Sequence, residues 1–468
     1  MAEKYFLQNR WKLENGELYY YGLRCGENLF KNRVKLTQKQ TKIIASLPNV
    51  LSEEELSVLK KLIGQQIVTE DNLKITPKSI HEARFCKNCC ANDFIIPGLE
   101  FSENGLCPMC ETSEKAEKLR SVVPLIKEIP HAKKSRFDCA LFYTGGKDST
   151  FLLYYLAKVK KLRVLALTWE IPFISESAKK SIENAKKHFP NVEFIIRTMS
   201  RDNLRKIYRK LYELSENTCA CPSLAYVLFY PELVANNVPY FLAGNEPVQM
   251  LGLYYNHMAP EFVYSIGKNK AVSALINIGR ILTLRPPLKK GQLQTLLSMR
   301  QLTKKKSTVM NLFGYYNPLV SNIVEAIHEV PEIIPPFRKA INRSSRTGNI
   351  PAFVHLDFDE ICGGKYEWNK VKNILTEECG WVPPLESKKA LHTSCQIEKC
   401  KDYSQFVRFY HCRSKMIPFS ALEISLAGKN SLVPKEQIMY EMENFLGFSL
   451  DEIPECALMC DFLRENYD

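Results

Sequence analysis

The stretch Phe142-Tyr-Thr-Gly-Gly-Lys-Asp-Ser-Thr150 joins two runs of different periodicity. Before it, Phe137 to Tyr143 (FDCALFY) reads as a buried strand. After it, Asp148 to Val159 (DSTFLLYYLAKV) has the apolar spacing of a helix packed on a sheet. A Gly-Gly turn between strand and helix exposes backbone N–H groups at a positive helix end, and Ser149 and Thr150 add hydroxyls there. This predicts an anion site suited to a phosphate or pyrophosphate. The longer glycine spacing of a Walker loop is absent, and so is a GxGxxG fingerprint. A plain strand–helix turn, with Gly for positive φ and Asp-Ser as a cap, is the alternative.

Outward from the loop the alternation continues. Leu162 to Glu170 (LRVLALTWE), Val192 to Met199 (VEFIIRTM) and Val238 to Gly244 (VPYFLAG) read as strands, and Ser175 to Phe189 as an amphipathic helix. The pattern predicts an α/β fold with a parallel sheet covered by helices over residues 135–290. Ligands of such sheets sit at the carboxyl ends of the strands. The candidates there are the loop, Trp169 with Glu170, Met199 with Ser200, and Gly244-Asn-Glu246. Residues 291–468 read as a mostly helical C-terminal domain.

Upstream, Cys86-x2-Cys89 and Cys107-x2-Cys110 form two paired knuckles within residues 84–112. That spacing predicts a zinc ribbon with tetrahedral S4 coordination, closed because all four ligands come from the protein and therefore structural. Cys90 adjoins the second ligand. Residues 1–80 read as a separate unit: a hairpin at Asn15-Gly16, a helix over Leu36 to Ala45, a Ser-capped helix over Ser52 to Leu62, then a short strand. Helices followed by a hairpin suggest a winged helix like those attached to peptide-modifying enzymes; a capping or dimerisation unit is the alternative.

At 468 residues with 45% hydrophobic content, the chain is long enough for several cores. Its net charge of +13 favours polyanionic or phosphorylated partners, but the basic residues are scattered in short runs with no arginine-rich arm. The N-terminus lacks an apolar signal region and no stretch is apolar enough to span a bilayer, so a cytoplasmic protein is expected. Sixteen cysteines then argue for metal ligands or reactive thiols. Cys219 and Cys221, in Thr218-Cys-Ala-Cys-Pro-Ser223, invite readings as a persulfide carrier, an iron–sulfur ligand pair, part of a second metal site or buried small residues. His392, Cys395, Cys400, His411 and Cys412 form a later group. Cys456 and Cys460, four apart on a helix, read as packing.

The Thr144-to-Ser149 loop resembles the signature of the PP-loop ATP pyrophosphatases, with Thr144 where most members have Ser. The resemblance implies binding of ATP and Mg2+ by Thr144, Gly145, Gly146, Asp148, Ser149 and Thr150. Lys147 and the loop hydroxyls would neutralise the departing pyrophosphate while a substrate oxygen is adenylated. Zinc ribbon, loop, Cys segment, Asp138-Cys139, Gly244-Asn-Glu-Pro247 and Gly380-Trp381 through His392 to Cys395 together resemble the N-acetyl sugar amidotransferases. That similarity is the nearer of two and implies a nitrogen nucleophile and an ammonia donor, so an amidotransferase-like adenylating transferase is the first expectation and sulfur transfer its alternative. The ribbon and cysteines also resemble the tRNA 2-thiolation enzymes, although those carry Cys-x-x-Cys rather than Cys-x-Cys. That implies sulfur delivery by Cys219, Cys221 and Cys395 or by a 4Fe–4S cluster. The acceptor is left open among a sugar, a tRNA and a peptide-like amide, a homo-oligomer is expected, and a non-catalytic nucleotide-binding adaptor is the remaining alternative.

Overall fold

In the computed structural model, strands β7 (Cys139–Phe142) and β8 (Val164–Trp169) run side by side, Ala140 opposite Leu165 and Phe142 opposite Leu167. Both are almost wholly buried, as central strands of a parallel sheet must be. The structure describes residues 3–116, 118–214, 221–259, 261–266, 270–304, 318–384, 390–391, 394–444 and 454–464. β9 (Glu193–Arg197) extends the sheet beyond β8; β10 (Tyr240–Ala243) and β11 (Ala352–Phe353) extend it beyond β7. The order is β11-β10-β7-β8-β9, every pair parallel. Strand order therefore reverses between β7 and β10, and the crevice outside their carboxyl ends is the expected ligand position.

Alternate residues feed two cores. Cys139, Leu141, Val164, Ala166 and Leu242 face one layer, with helices Lys147–Tyr154, Glu176–His188, Pro247–Tyr255 and Trp368–Cys379. Ala140, Phe142, Leu165, Leu167 and Phe241 face the other, with helices Arg201–Leu214, Cys221–Ala235 and Ile334–Thr347. The four strands expected from the sequence are present with slightly shorter ends. The fifth, β11, comes from beyond residue 290, so the sheet draws on the segment read as a helical domain. The helix after the glycines starts at Lys147 and ends in a π-helical turn, Tyr155–Val159.

The N-terminal unit begins with β1 (Lys4–Leu7), β2 (Trp11–Glu14) and β3 (Glu17–Tyr20). β2 and β3 form the hairpin at Asn15-Gly16, both with positive φ as a tight hairpin turn requires. Helices Gln38–Ala45 and Glu53–Gly64 each start with a capping box, from Thr37 with Gln40 and Ser52 with Glu55. The hairpin precedes these helices; the strand after them, β6 (Val68–Thr69), pairs with β1 instead of forming a wing. The hairpin expected at Asn15-Gly16 is present, and the strand expected after the helices pairs back to β1.

Arg10 ties this unit to the distant helix Glu398–Tyr410. Buried, it donates to the carbonyl of Tyr21 and to those of Tyr410 and Phe409 at 2.9 and 3.1 Å, with its guanidinium over the Phe409 ring. Three main-chain oxygens, two at a helix C-terminus, satisfy a cation that burial otherwise penalises. Arg10→Met keeps the volume and removes the donors. It is expected to cost about 2–3 kcal/mol, read as a lower denaturant midpoint at unchanged m.

Candidate active site at the carboxyl ends of the strands

The Gly-Gly loop leaves β7 and enters helix Lys147–Tyr154 through Gly146 as N-cap. Gly145 has φ +74, and a Cβ there would lie 2.6 Å from the Ala178 carbonyl oxygen, so the turn admits only glycine. Gly146 has an ordinary φ of −77. No side chain caps the helix: Asp148 bonds elsewhere, so the cap reading of Asp-Ser is corrected. The Ser149 and Thr150 hydroxyls donate to the Gly146 carbonyl at 3.1 and 2.8 Å, and the Thr144 amide donates to Ser149 Oγ at 3.2 Å. These hydroxyls brace the loop from within instead of pointing outward. What the loop offers an anion is the uncapped first turn of the helix.

Lys147 lies beneath this turn, buried with its Nζ hydrogen-bonded to Asp148. Glu246 Oε1, from the turn after β10, is 3.8 Å from the same nitrogen and accepts no hydrogen bond. The ammonium also sits over the rings of Tyr366 and Trp368, at 4.5 and 4.8 Å from their centroids. Burial would lower the Lys147 pKa, but Asp148 and Glu246 more than offset this and hold it above the ordinary lysine value. Burial drives the Glu246 carboxyl well up, against the pull of Lys147. Glu423, on helix Phe419–Lys429, accepts from Gln249 at 3.3 Å and is pushed up to about 8 by burial and then by Asp148. The site thus sets three carboxyl groups around one lysine.

Three aromatic donors from one segment close over the loop. Tyr366 OH donates to Asp148 Oδ1 at 2.8 Å, Trp368 Nε1 to Glu246 Oε2 at 2.9 Å, and Trp381 Nε1 to the Gly145 carbonyl at 3.1 Å. All three are buried. Tyr366, Trp368 and Glu423 escape the sequence reading because a lone aromatic or acid on a helical segment looks like core or surface; Trp381 was visible only as part of a Gly-Trp pair. Gly244 lets β10 come close: a Cβ there would lie 2.8 Å from the Ser149 amide nitrogen. Trp169 ends β8 with its indole Nε1 buried and without a hydrogen-bond partner among the described residues. Ser200 accepts from the Asn203 amide at 3.3 Å, as the cap of its helix.

Two of the candidate thiols lie on the second sheet face. The segment at Cys395 returns to the end of β8: Ser175 N donates to Ser394 O at 2.9 Å and Gln396 N to Phe173 O at 2.7 Å. Cys221 opens helix Cys221–Ala235, with its Sγ 3.2 Å from Tyr208 OH. Both are half-buried and pack on the core of the second sheet face. Cys219 and His392 lie outside the described residues. Cys400 is buried with its Sγ 3.8 Å from Tyr212 OH, and Cys412 lies against the N-terminal unit.

Cys86, Cys89, Cys107 and Cys110 converge: their sulfurs all lie within 4.8 Å of one another, and all four are buried. The Cys89 and Cys107 sulfurs are 3.6 Å apart, near the ~3.8 Å edge of a tetrahedron with ~2.3 Å Zn–S bonds. The Ala91 and Cys107 amides and the Asn88 side chain donate to sulfurs of the group, as they would to thiolates. The donor set suits a metal ion. Cys90 is excluded; its sulfur packs toward Gly428.

Trp381→Phe keeps the ring and removes the donor to Gly145. Leaving that buried carbonyl unpaired is expected to cost about 1–3 kcal/mol in chemical denaturation. Glu423 gives a pH test. Its folded value, about 8, lies above the ordinary 4.5, so the native state holds the extra proton and stability falls as pH rises through that window. Glu423→Gln is expected to match the parent's melting temperature at the acid end of the window and exceed it at the alkaline end.

Among the described residues no helix is long and apolar enough to cross a membrane. No family model matches the chain, and no curated protein does. Among solved structures, the U34-tRNA thiolase NcsA from Methanococcus maripaludis with its 4Fe–4S cluster is similar over 56% of this chain and 86% of its own. The identity is 11% and the TM-score 0.21, too low to assign a fold or a function.

Proposed function

We propose that the chain is an ATP-dependent transferase of the PP-loop kind. It activates an oxygen of its acceptor as an adenylate, and sulfur then displaces AMP to leave a thiocarbonyl. The observation that carries the first half is the uncapped helix start behind Gly145-Gly146, set over a buried lysine at the point where strand order reverses. Amides of the first turn would hold the pyrophosphate portion of ATP. The Lys147 charge, fixed from below, supports the negative charge that grows there without itself having to move. Asp148, partly exposed, is the residue suited to Mg2+, which supplies charge neutralisation when bound.

The second half rests on the thiols. Cys221 opens a helix and Cys395 lies beside the segment that follows β8; a persulfide carried on one of them would attack the adenylated carbon, AMP would leave, and a dithiol reductant would cleave the mixed disulfide to release the thiocarbonyl. The resemblance to sugar amidotransferases implied nitrogen instead, and no feature of the site favours ammonia over sulfur. The four-cysteine group is proposed to hold zinc as a closed structural site that stabilises the fold and supports the helix following Glu246 through the Thr112–Tyr255 hydrogen bond.

Incubation with ATP, a persulfide sulfur donor, a dithiol reductant and either an unmodified tRNA or a peptide amide is expected to release AMP and pyrophosphate with one acceptor and to yield its thiocarbonyl. ADP as product overturns the reading. Cys221→Ser and Cys395→Ser are expected to keep the first-turnover, acceptor-dependent release of pyrophosphate and lose at least tenfold in AMP and sulfur product. Equal sulfur yield in both variants removes the thiols from the mechanism. Metal analysis is expected to find one zinc per chain, lost in Cys107→Ser together with thermal stability.

A further inference from the structure

The positive charge of the chain is not spread evenly. Residues 262–356 hold 14 Lys and Arg against three acids, a surplus of +11 in a chain whose net charge is +13. The fold gathers this surplus onto helices Lys270–Leu282, Gln292–Leu302 and Ile334–Thr347 and their connections. Arg280 Nη2 donates to the Ser345 carbonyl at 2.9 Å, Arg300 Nη2 to Ser345 Oγ at 3.3 Å, and Arg338 Nη2 to the Thr303 carbonyl at 3.3 Å, so the three helices form one lobe. Two of the three acids turn away from it. Glu325 pairs with Lys210 at 3.4 Å and Glu332 accepts from Asn203 at 2.9 Å, both on helix Arg201–Leu214. Five arginines of the lobe (Arg285, Arg300, Arg338, Arg343 and Arg346) and four lysines are exposed, and none of the nine pairs with a carboxylate among the described residues. Burial, Arg285 and Arg300 together hold the Arg280 guanidinium below the ordinary arginine value. The lobe holds like charge at close quarters, which a bound polyanion relieves.

We propose that this lobe binds the phosphodiester backbone of a nucleic acid. Helix Ile334–Thr347 sets the geometry. Lys339, Arg343 and Arg346 fall at i, i+4 and i+7 and form one exposed stripe about 10 Å long. Asn342 is exposed beside them, an uncharged donor of the kind that completes phosphate and sugar contacts. The helix carries no acid, so a backbone laid along it meets no repulsion. The positive surface continues past both of its ends. Arg338 reaches Thr303, next to Lys304, and Pro286, next to Arg285, packs against Gly348, where a Cβ would lie 2.8 Å from the proline Cβ. A partner whose charge repeats along a line fits such a surface, and planar guanidinium forks match phosphate oxygens. Lipid fits it less well. A basic helix that lies on a bilayer inserts an apolar face, and the exposed positions of helix Ile334–Thr347 are Pro, Arg, Lys, Asn and Thr. Leu275 and Leu282, exposed on helix Lys270–Leu282, make lipid the rival that the experiment separates. Binding here goes beyond the proposed chemistry and needs neither ATP nor sulfur.

Fluorescence anisotropy of a labelled, unmodified tRNA transcript, with the full chain and no ATP or sulfur donor, tests it. The parent is expected to bind at about 50 mM salt and to weaken steeply as salt rises. Arg343→Gln combined with Arg346→Gln is expected to lose roughly tenfold or more in affinity and to lower the magnitude of the log–log salt slope by about 2. Lys186→Gln combined with Lys187→Gln removes the same charge from helix Glu176–His188, in the layer on the opposite face of the sheet. That control is expected to stay within about threefold of the parent. All four side chains are exposed, so both pairs are expected to keep the parent's circular dichroism melt. A parent that does not bind the RNA, or an equal loss in the two pairs, overturns the proposal. So does cosedimentation with phosphatidylcholine–phosphatidylglycerol vesicles that depends on Arg343 and Arg346 while RNA binding does not, because that assigns the lobe to lipid.

Discussion

Burying the Lys147 ammonium is the constraint on which the rest of the site depends. A lysine taken out of water needs opposite charge within a few ångströms or it loses its proton. Asp148 is next to it in the chain, but the second carboxylate, Glu246, must come from the end of β10. That in turn requires β10 to lie against the first turn of the loop helix, which only Gly244 permits. Tyr366 then donates to the same Asp148 oxygen that Lys147 binds, and Trp368 to the Glu246 oxygen turned away from the lysine. One buried charge thus recruits the loop, a strand end and a segment more than two hundred residues away into a single arrangement.

The same arrangement draws the segment beyond residue 350 into the parallel-sheet layer and against the Gly-Gly loop. It contributes the edge strand β11 to the sheet, the aromatic donors over the loop, and Cys395 beside the end of β8. Loop geometry is over-determined as a result. Gly145 is held from one side by the Trp381 indole and crowded on the other by the Ala178 carbonyl, and the Ser149 and Thr150 hydroxyls pin the turn internally. A turn fixed from several directions keeps its amides oriented before any anion arrives, the condition under which electrostatic stabilisation costs no reorganisation.

Much of the architecture was legible in the residues alone because its signals are local. Strand–helix alternation marks a parallel sheet, Asn15-Gly16 marks a hairpin, Thr37 and Ser52 mark helix starts, and the two CxxC pairs bring four thiols together within one short segment. How the N-terminal strands pair was not legible, because each element was visible and its partner was not: β6 turns back to β1 through hydrogen bonds that leave no trace in composition.

By itself the sequence determined the loop, the parallel sheet and the four-cysteine group, since each follows from periodicity, glycine stereochemistry or fixed spacing within some thirty residues. Tertiary structure alone decided that Lys147 faces carboxylates beneath the turn, that Ser149 and Thr150 spend their hydroxyls on Gly146, that Tyr366, Trp368 and Trp381 close the site, and that helix Lys270–Leu282 presents its apolar face outward. Those are questions of which groups meet after long chain excursions. A buried charge or an exposed leucine is defined by its neighbours, and neighbours brought from distant segments have no local signature.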